Sequence, residues 1–298
     1  MKILLSFLLI SSALFSQEIF STTAHEIITE GGPLAYTAVV GSMPARNKEG
    51  KVTGNIYYTA YRKEGVNRPI TFAFNGGPGS SSVWLHVGAL GPKRVLGLED
   101  GGTITPPYQW IDNSDSILDF SDLVFIDPIG TGFSRMTSDG DPQAFYSTEG
   151  DISCIGDFIA DYVTKENRWG SPKYLAGESY GTFRAAGVSA YLLEEHHLLF
   201  NGLILISCAL DYQTFIPDGD NEIPYSLVLP SFAATAWYHG RLDPKLTLEE
   251  TVNQAREFAM EPYARGLWRE GVVPKDLYPM LSYWTGLSID LLEDRDGL

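Results

Sequence analysis

Residues 177–181 read Gly-Glu-Ser-Tyr-Gly, directly after the apolar run Tyr174-Leu175-Ala176. A serine between two glycines, where a strand turns into a helix, has the makings of a nucleophile. The glycines let the backbone cross itself tightly, the hydroxyl stands up at the sheet edge, and the helix start behind it stabilises negative charge. Ser179 is therefore the candidate catalytic residue; the plainer alternative is a glycine-bordered turn with an idle serine. Acyl transfer also needs two amides aimed at the developing oxyanion. One follows the nucleophile and belongs to Tyr180. A second glycine-rich bend, Asn75-Gly76-Gly77-Pro78-Gly79, follows the apolar run Ile70–Phe74 and is the candidate source of the other. That loop lacks the Gly-Lys-Ser/Thr ending of a P-loop and the G-x-G-x-x-G of a dinucleotide fold, so phosphate binding is the weaker reading.

Other chemistries have less support. No cysteine–histidine spacing suggests zinc, and neither a metal nor a cofactor is implied. His196 and His197 are adjacent, so a helix points them in different directions, as solvated surface residues. Cys154 and Cys208 are the two cysteines, and a disulfide or a pair of buried thiols fits them equally well. The formal net charge of −16 repels phosphate backbones and anionic lipid headgroups, which argues against nucleic-acid partners.

The elements that must position these bends are legible in the hydrophobic pattern. With 44% hydrophobic and 19% charged residues, the 298-residue chain is globular, enough for one large domain or two ordinary ones. Residues 1–16, with one lysine ahead of the apolar stretch Ile3–Phe15, fit a secretory signal peptide and predict a secreted or periplasmic protein. No cysteine follows that stretch, so no lipid or other membrane anchor is expected. Residues 35–43 and 54–62 read as strands around a polar turn, and Ile70–Phe74, Leu123–Ile126, 173–178 and 202–210 as further strands. Apolar residues at 152, 155, 158, 159, 162 and 163 predict a helix over 151–167, with another over 180–197. Strands that are continuous apolar runs alternating with helices indicate a mostly parallel sheet covered on both faces. Ligands bind such sheets beyond the carboxyl ends of the strands, and three bends fall there: Asn75–Gly79, Asp127–Gly132 and Gly177–Gly181. From about Asp218 the strand signal stops. Residues 17–221 are expected to form the core, and 222–298 a helical cap with helices over 247–270 and 274–288.

The motifs Asn75-Gly-Gly-Pro-Gly-Ser-Ser-Ser82, Asp127-Pro-Ile-Gly-Thr-Gly-Phe-Ser134 and Gly177-Glu-Ser-Tyr-Gly-Thr182, in this order, resemble the serine carboxypeptidase family of α/β-hydrolases, its bacterial branch most closely. The resemblance runs from about residue 35 to at least 240. It implies an α/β-hydrolase fold with a helical cap insertion, of which this chain holds the N-terminal part, the C-terminal strands missing. It further implies that Ser179 attacks the last peptide bond of a peptide or protein substrate. The Gly77 and Tyr180 amides then hold the oxyanion, and Asn75 and Glu178 grip the substrate's terminal carboxylate. Physically, a carboxyl beside an incoming carboxylate is favoured in its protonated form, which donates a hydrogen bond where the ionised form repels. The sequence departs from the family pattern in three places: Ser80 stands where many eukaryotic members carry cysteine, Ala73 where tryptophan is common, and Ala89 where some members carry a glutamate that helps the grip.

The other relay members are not evident. Hydrolases of this fold order them Ser, Asp or Glu, then His. Downstream of Ser179 the histidines are His196, His197 and His239. Asp211 with His239 is one internal solution; the plainer reading makes Asp211 a loop carboxylate. Three functions therefore remain open: a serine carboxypeptidase, inactive or weak in this form; a catalytically dead remnant or peptide-binding fragment; and an esterase or acyltransferase on the same scaffold.

Overall fold

The structure, a computed structural model, describes residues 17–97, 104–217 and 221–297. The expected signal peptide, 1–16, lies outside the described residues. The chain divides into two compact units, Met1–Leu210 and Asp211–Leu298.

The first unit is built on one large sheet. Its strands are β1 (Glu18–Thr29), β2 (Gly32–Arg46), β3 (Val52–Arg62) and β4 (Ile70–Phe74), with β5 (Lys93–Val95) and β6 (Trp110–Asp112) forming a separate small ribbon. The large sheet continues with β7 (Asp122–Ile126), β8 (Arg135–Met136), β9 (Lys173–Glu178) and β10 (Gly202–Ile206). Its spatial order is β1-β2-β3-β7-β4-β9-β10, with β8 beside β3. The pairs from β7 through β4 and β9 to β10 are parallel, whereas β1, β2, β3 and β7 pair antiparallel. The sheet is thus mixed rather than mostly parallel. The cause is local: β1, β2 and β3 are long strands joined by short turns, and a short turn can only fold a strand back beside its neighbour. β1 was not foreseen, because only its last residues, Ile27 and Thr29, are buried and it carries no apolar alternation.

The central strands β4 and β7 are buried along their whole length, as strands covered on both faces must be. One face is covered by α3 (Thr148–Lys165) and α4 (Tyr180–His196), which follow the short α1 (Val83–Leu85) and α2 (Gln143–Tyr146). α3 starts at Ser147, whose side chain accepts from the Gly150 amide, with Glu149 and Asp151 in its first turn and Lys165 in its last. Its Ile155, Phe158, Ile159, Tyr162 and Val163 pack with Ala185, Val188 and Leu192 of α4 against the sheet. On the opposite face Leu85 and Leu118, from short helical turns, pack with Leu34, Leu123 and Phe125. After the first glycine loop the chain forms only α1 and a widened turn over His86–Leu90. β10 is an edge strand, and its Leu203, Ile204 and Leu205 are 37–38% exposed where a strand covered on both faces was expected.

The second unit is helical. It contains α5 (Ile223–Tyr238), α6 (Leu248–Phe258), α7 (Ala264–Glu270), α8 (Tyr278–Thr285) and α9 (Ile289–Asp294) around Leu229, Ala233, Phe258, Tyr263, Leu281 and Trp284. Thr247 opens α6 with a capping box to Glu250. α5 was not foreseen, since Pro230 interrupts it and its apolar residues run round the whole helix. Among the described residues no helix is long and apolar enough to cross a membrane.

Candidate active site

Ser179 sits between the end of β9 and the first residue of α4, with φ 57° and ψ −126°. A non-glycine residue reaches that region only at a cost of about 1–3 kcal/mol, so the surroundings must impose it. They do so through the backbone. The Ser179 amide donates to the Ile206 carbonyl at 3.0 Å, and its carbonyl accepts from the Thr182 amide at 2.9 Å and hydroxyl at 2.7 Å. Thr182 Oγ1 in turn accepts from the Ala209 amide at 2.9 Å. The Ser179 hydroxyl makes no capping bond to α4 although it occupies the cap position. Both flanking glycines are required: a side chain on Gly177 would overlap the Gly181 carbonyl, and one on Gly181 would lie 2.8 Å from the Phe74 carbonyl.

The first glycine loop lies against this turn. A Cβ on Gly76 would stand 2.5 Å from the Tyr180 amide nitrogen and 2.7 Å from the Glu178 carbonyl, so the two backbones touch with no room for a side chain. Next to it Gly77 has φ 106° and faces solvent. Asn75 is fully buried; its amide donates to Glu178 Oε2 at 2.9 Å, and its side-chain oxygen accepts from the Leu85 amide at 3.1 Å. The Asp127 bend joins the same cluster, because Asp127 Oδ1 accepts from both the amide (2.9 Å) and the hydroxyl (2.8 Å) of Ser82. Asn75, Gly77, Glu178, Ser179 and Tyr180 are thus brought together from two bends, and the Asp127 bend braces the first through Ser82.

One residue of the cluster escaped notice. Arg184, on the buried face of α4, has no exposed surface and donates from Nε to both oxygens of Asp151 at 3.0 and 2.8 Å. A lone arginine among the small apolar residues of 181–188 was the available signal. His86 was also missed. Its Nε2 meets the Tyr61 hydroxyl at 2.6 Å, its ring stacks on Phe125, and burial pulls its pKa down to about 4.

No histidine is bonded to the Ser179 hydroxyl among the described residues. His25 pairs with Thr23, and His86 with Tyr61. His196, expected to be solvated, instead meets Asp157 at 2.9 Å, where the Tyr191 hydroxyl also donates. His197 closes α4 in the left-handed conformation. Asp211 caps a short helical turn by accepting from the Gln213 amide, and the His239 ring packs on Tyr238; no hydrogen bond joins these two. The plainer reading of Asp211 fits that capping bond. Cys154 and Cys208 are both free, which removes the disulfide; Cys208 is exposed, so the alternative of two buried thiols also fails. Among the described residues no cluster of histidine, cysteine and carboxylates could hold a metal ion.

A family model described as serine carboxypeptidase matches residues 38–249, more than half of the chain. The chain belongs to the serine carboxypeptidase family. It is 33% identical over 130 residues to serine carboxypeptidase-like 36 of Arabidopsis thaliana, covering 42% of this chain and 24% of that protein. It is also 33% identical over 136 residues to the pheromone-processing carboxypeptidase kex1 of Pyrenophora tritici-repentis, covering 43% and 19%. Among solved structures it resembles Kex1, a prohormone-processing carboxypeptidase from Saccharomyces cerevisiae. The TM-score there is 0.51 at 19% identity, covering 84% of this chain and 53% of that one, a likeness of fold. The chain therefore spans about half the length of that structure and less of the two sequence relatives. Those relatives are plant and fungal, and they lend no support to the bacterial branch.

Proposed function

We propose that this chain carries the nucleophile and the carboxylate grip of a serine carboxypeptidase acting on peptide or protein C-termini. Ser179 adds to the carbonyl of the last peptide bond, and the Gly77 and Tyr180 amides stabilise the oxyanion. Collapse of that adduct breaks the C–N bond, the leaving amine takes a proton, and the C-terminal residue departs. Water then hydrolyses the Ser179 ester. Asn75 and Glu178, already hydrogen-bonded to each other, hold the substrate's terminal carboxylate. A serine hydroxyl needs a general base near neutral pH. None touches Ser179 among the described residues, so this reading requires the aspartate and histidine of the relay from elsewhere in the working enzyme. Residues 222–298 serve as a helical cap, and residues 1–16 direct secretion.

The observation that carries this reading is the contact of the Gly76 backbone with the Tyr180 amide beside a serine held at positive φ. A fluorophosphonate probe on the working enzyme, with its relay in place, tests it: the label should appear on Ser179 and vanish in Ser179→Ala. Release of C-terminal residues from free-acid peptides, with amidated peptides resistant, separates a carboxypeptidase from an esterase or acyltransferase. A second reading, a non-catalytic binder of peptide C-termini, is favoured by the commitment of His25, His86 and His196 to other partners. Folded protein that binds free-acid peptides and takes no label decides for it.

A further inference from the structure

Arg184 does more than neutralise Asp151. Its Nη1 donates to the Asn75 carbonyl at 2.6 Å and its Nη2 to the Pro78 carbonyl at 3.3 Å, while its guanidinium carbon lies 5.4 Å from the Phe74 ring centre and 5.1 Å from that of Tyr180. One planar cation therefore ties both ends of the first glycine loop to the helix that begins at the nucleophile, packed beneath the very residue whose amide completes the pair. Between them, the Gly76 carbonyl accepts from the Ser80 amide at 3.0 Å.

Those three bonds dictate where the loop's amides point. In a trans peptide the C=O and N–H are antiparallel, and the peptides Asn75–Gly76, Gly76–Gly77 and Pro78–Gly79 are all trans. Drawing the Asn75 and Pro78 carbonyls inward to Arg184 turns the Gly76 and Gly79 amides away from it, and the Gly77 amide, on the peptide held between these two anchors, points opposite to the Gly76 carbonyl that Ser80 holds. An oxyanion site depends on donors fixed before the reaction, since a donor that must reorient forfeits part of its stabilisation. A glycine-rich loop has little stiffness of its own to keep them there.

We infer that Arg184, anchored by Asp151, is the positioning residue of the oxyanion site: it holds the 75–79 loop so that the Gly77 amide stays aimed across Ser179. Arg184 touches no substrate and acts through the loop. Lysine cannot replace it, because a single ammonium lacks the planar fork that reaches Asp151 and two carbonyls together. The inference rests on the proposed nucleophilic role of Ser179.

The test is the kinetics of fluorophosphonate labelling on the working enzyme with its relay in place, because the phosphoryl oxygen occupies the oxyanion position. Arg184→Met and Arg184→Lys are compared with the parent for the rate at saturation and for the half-saturating probe concentration, with folding checked by circular dichroism. Loss of one oxyanion donor costs about 10²–10³-fold in rate. Misaiming one predicts a fall of about tenfold to a hundredfold at saturation, the half-saturating concentration holding within about threefold. A purely structural role would lower the folded fraction and leave the rate per folded molecule unchanged, and that result overturns the inference. If the Met variant does not fold, the Lys variant decides by the same criterion. A parent protein that takes no label refutes the nucleophilic reading and this inference with it; a labelled parent with equally fast variants refutes this inference alone.

Discussion

Ser179 keeps its unfavourable backbone angles because Thr182 is bonded on both sides, to the Ser179 carbonyl and from the Ala209 amide. Thr182 is fully buried, so Thr182→Val keeps the shape and removes the acceptor for a buried amide. The expected loss is about 1–3 kcal/mol, read from urea unfolding, together with slower labelling of Ser179. Glu178 carries a different prediction. Its carboxyl accepts from Asn75, and the proposed grip sets it against the substrate's terminal carboxylate. Glu178→Gln, whose side-chain amide can donate to that carboxylate, should bind free-acid peptides about tenfold more tightly by isothermal titration. Unchanged affinity would remove Glu178 from the grip.

Among the elements, β10 departs most from its reading. Its apolar run has the composition of a buried parallel strand, yet it forms the sheet edge with Leu203, Ile204 and Leu205 partly exposed. An open apolar edge is a template for pairing between chains. Ile204→Lys, at the middle of the strand, should lower concentration-dependent light scattering with little change in melting temperature. Unchanged scattering would place the sticky surface elsewhere. At the other end of the sheet, β1 also lies at an edge, but its outward residues include Ser21, Thr22, Thr23 and Glu26, which discourage such pairing.

Across the whole molecule, two groups pull stability in opposite directions with pH. His86 takes a proton near pH 6.5 when unfolded but only near 4 when folded, because burial disfavours its charge. The unfolded chain thus binds more protons between those values, and stability falls as pH drops from about 6.5 to 4, by on the order of 3 kcal/mol. Asp161 behaves oppositely. Burial first, then the charge of Asp157, push it up to about 6, against the pull of His196, Arg46 and Lys165. The folded protein then takes up its proton first, and stability is gained as pH falls through the same window. Asp161 is partly exposed, so its share is the smaller. His86→Phe, which keeps the stack on Phe125, should flatten the acid loss, and Asp161→Asn should steepen it, both measured as urea midpoints between pH 4 and 7. Parallel profiles for all three proteins would show that other groups govern acid stability.

What the sequence determined by itself was local. Glycines on either side of Ser179, the apolar runs Ile70–Phe74 and Leu123–Ile126, and the helical spacing of 152–163 each depend on neighbours a few residues away, and steric and periodic rules act at that range. The bends Asn75–Gly79, Asp127–Gly132 and Gly177–Gly181 were legible for the same reason. Only the tertiary structure decided what those bends do to one another: Asn75 bonded to Glu178, Gly76 pressed on the Tyr180 amide, and Arg184 clamping two carbonyls more than a hundred residues away. It also decided that β1 to β3 run antiparallel, that Cys154 and Cys208 stay apart, and that His86 and His196 are committed to Tyr61 and Asp157. These outcomes depend on which distant surfaces meet, and burial, charge pairing and hydrogen bonding take their values only once the chain has closed around them.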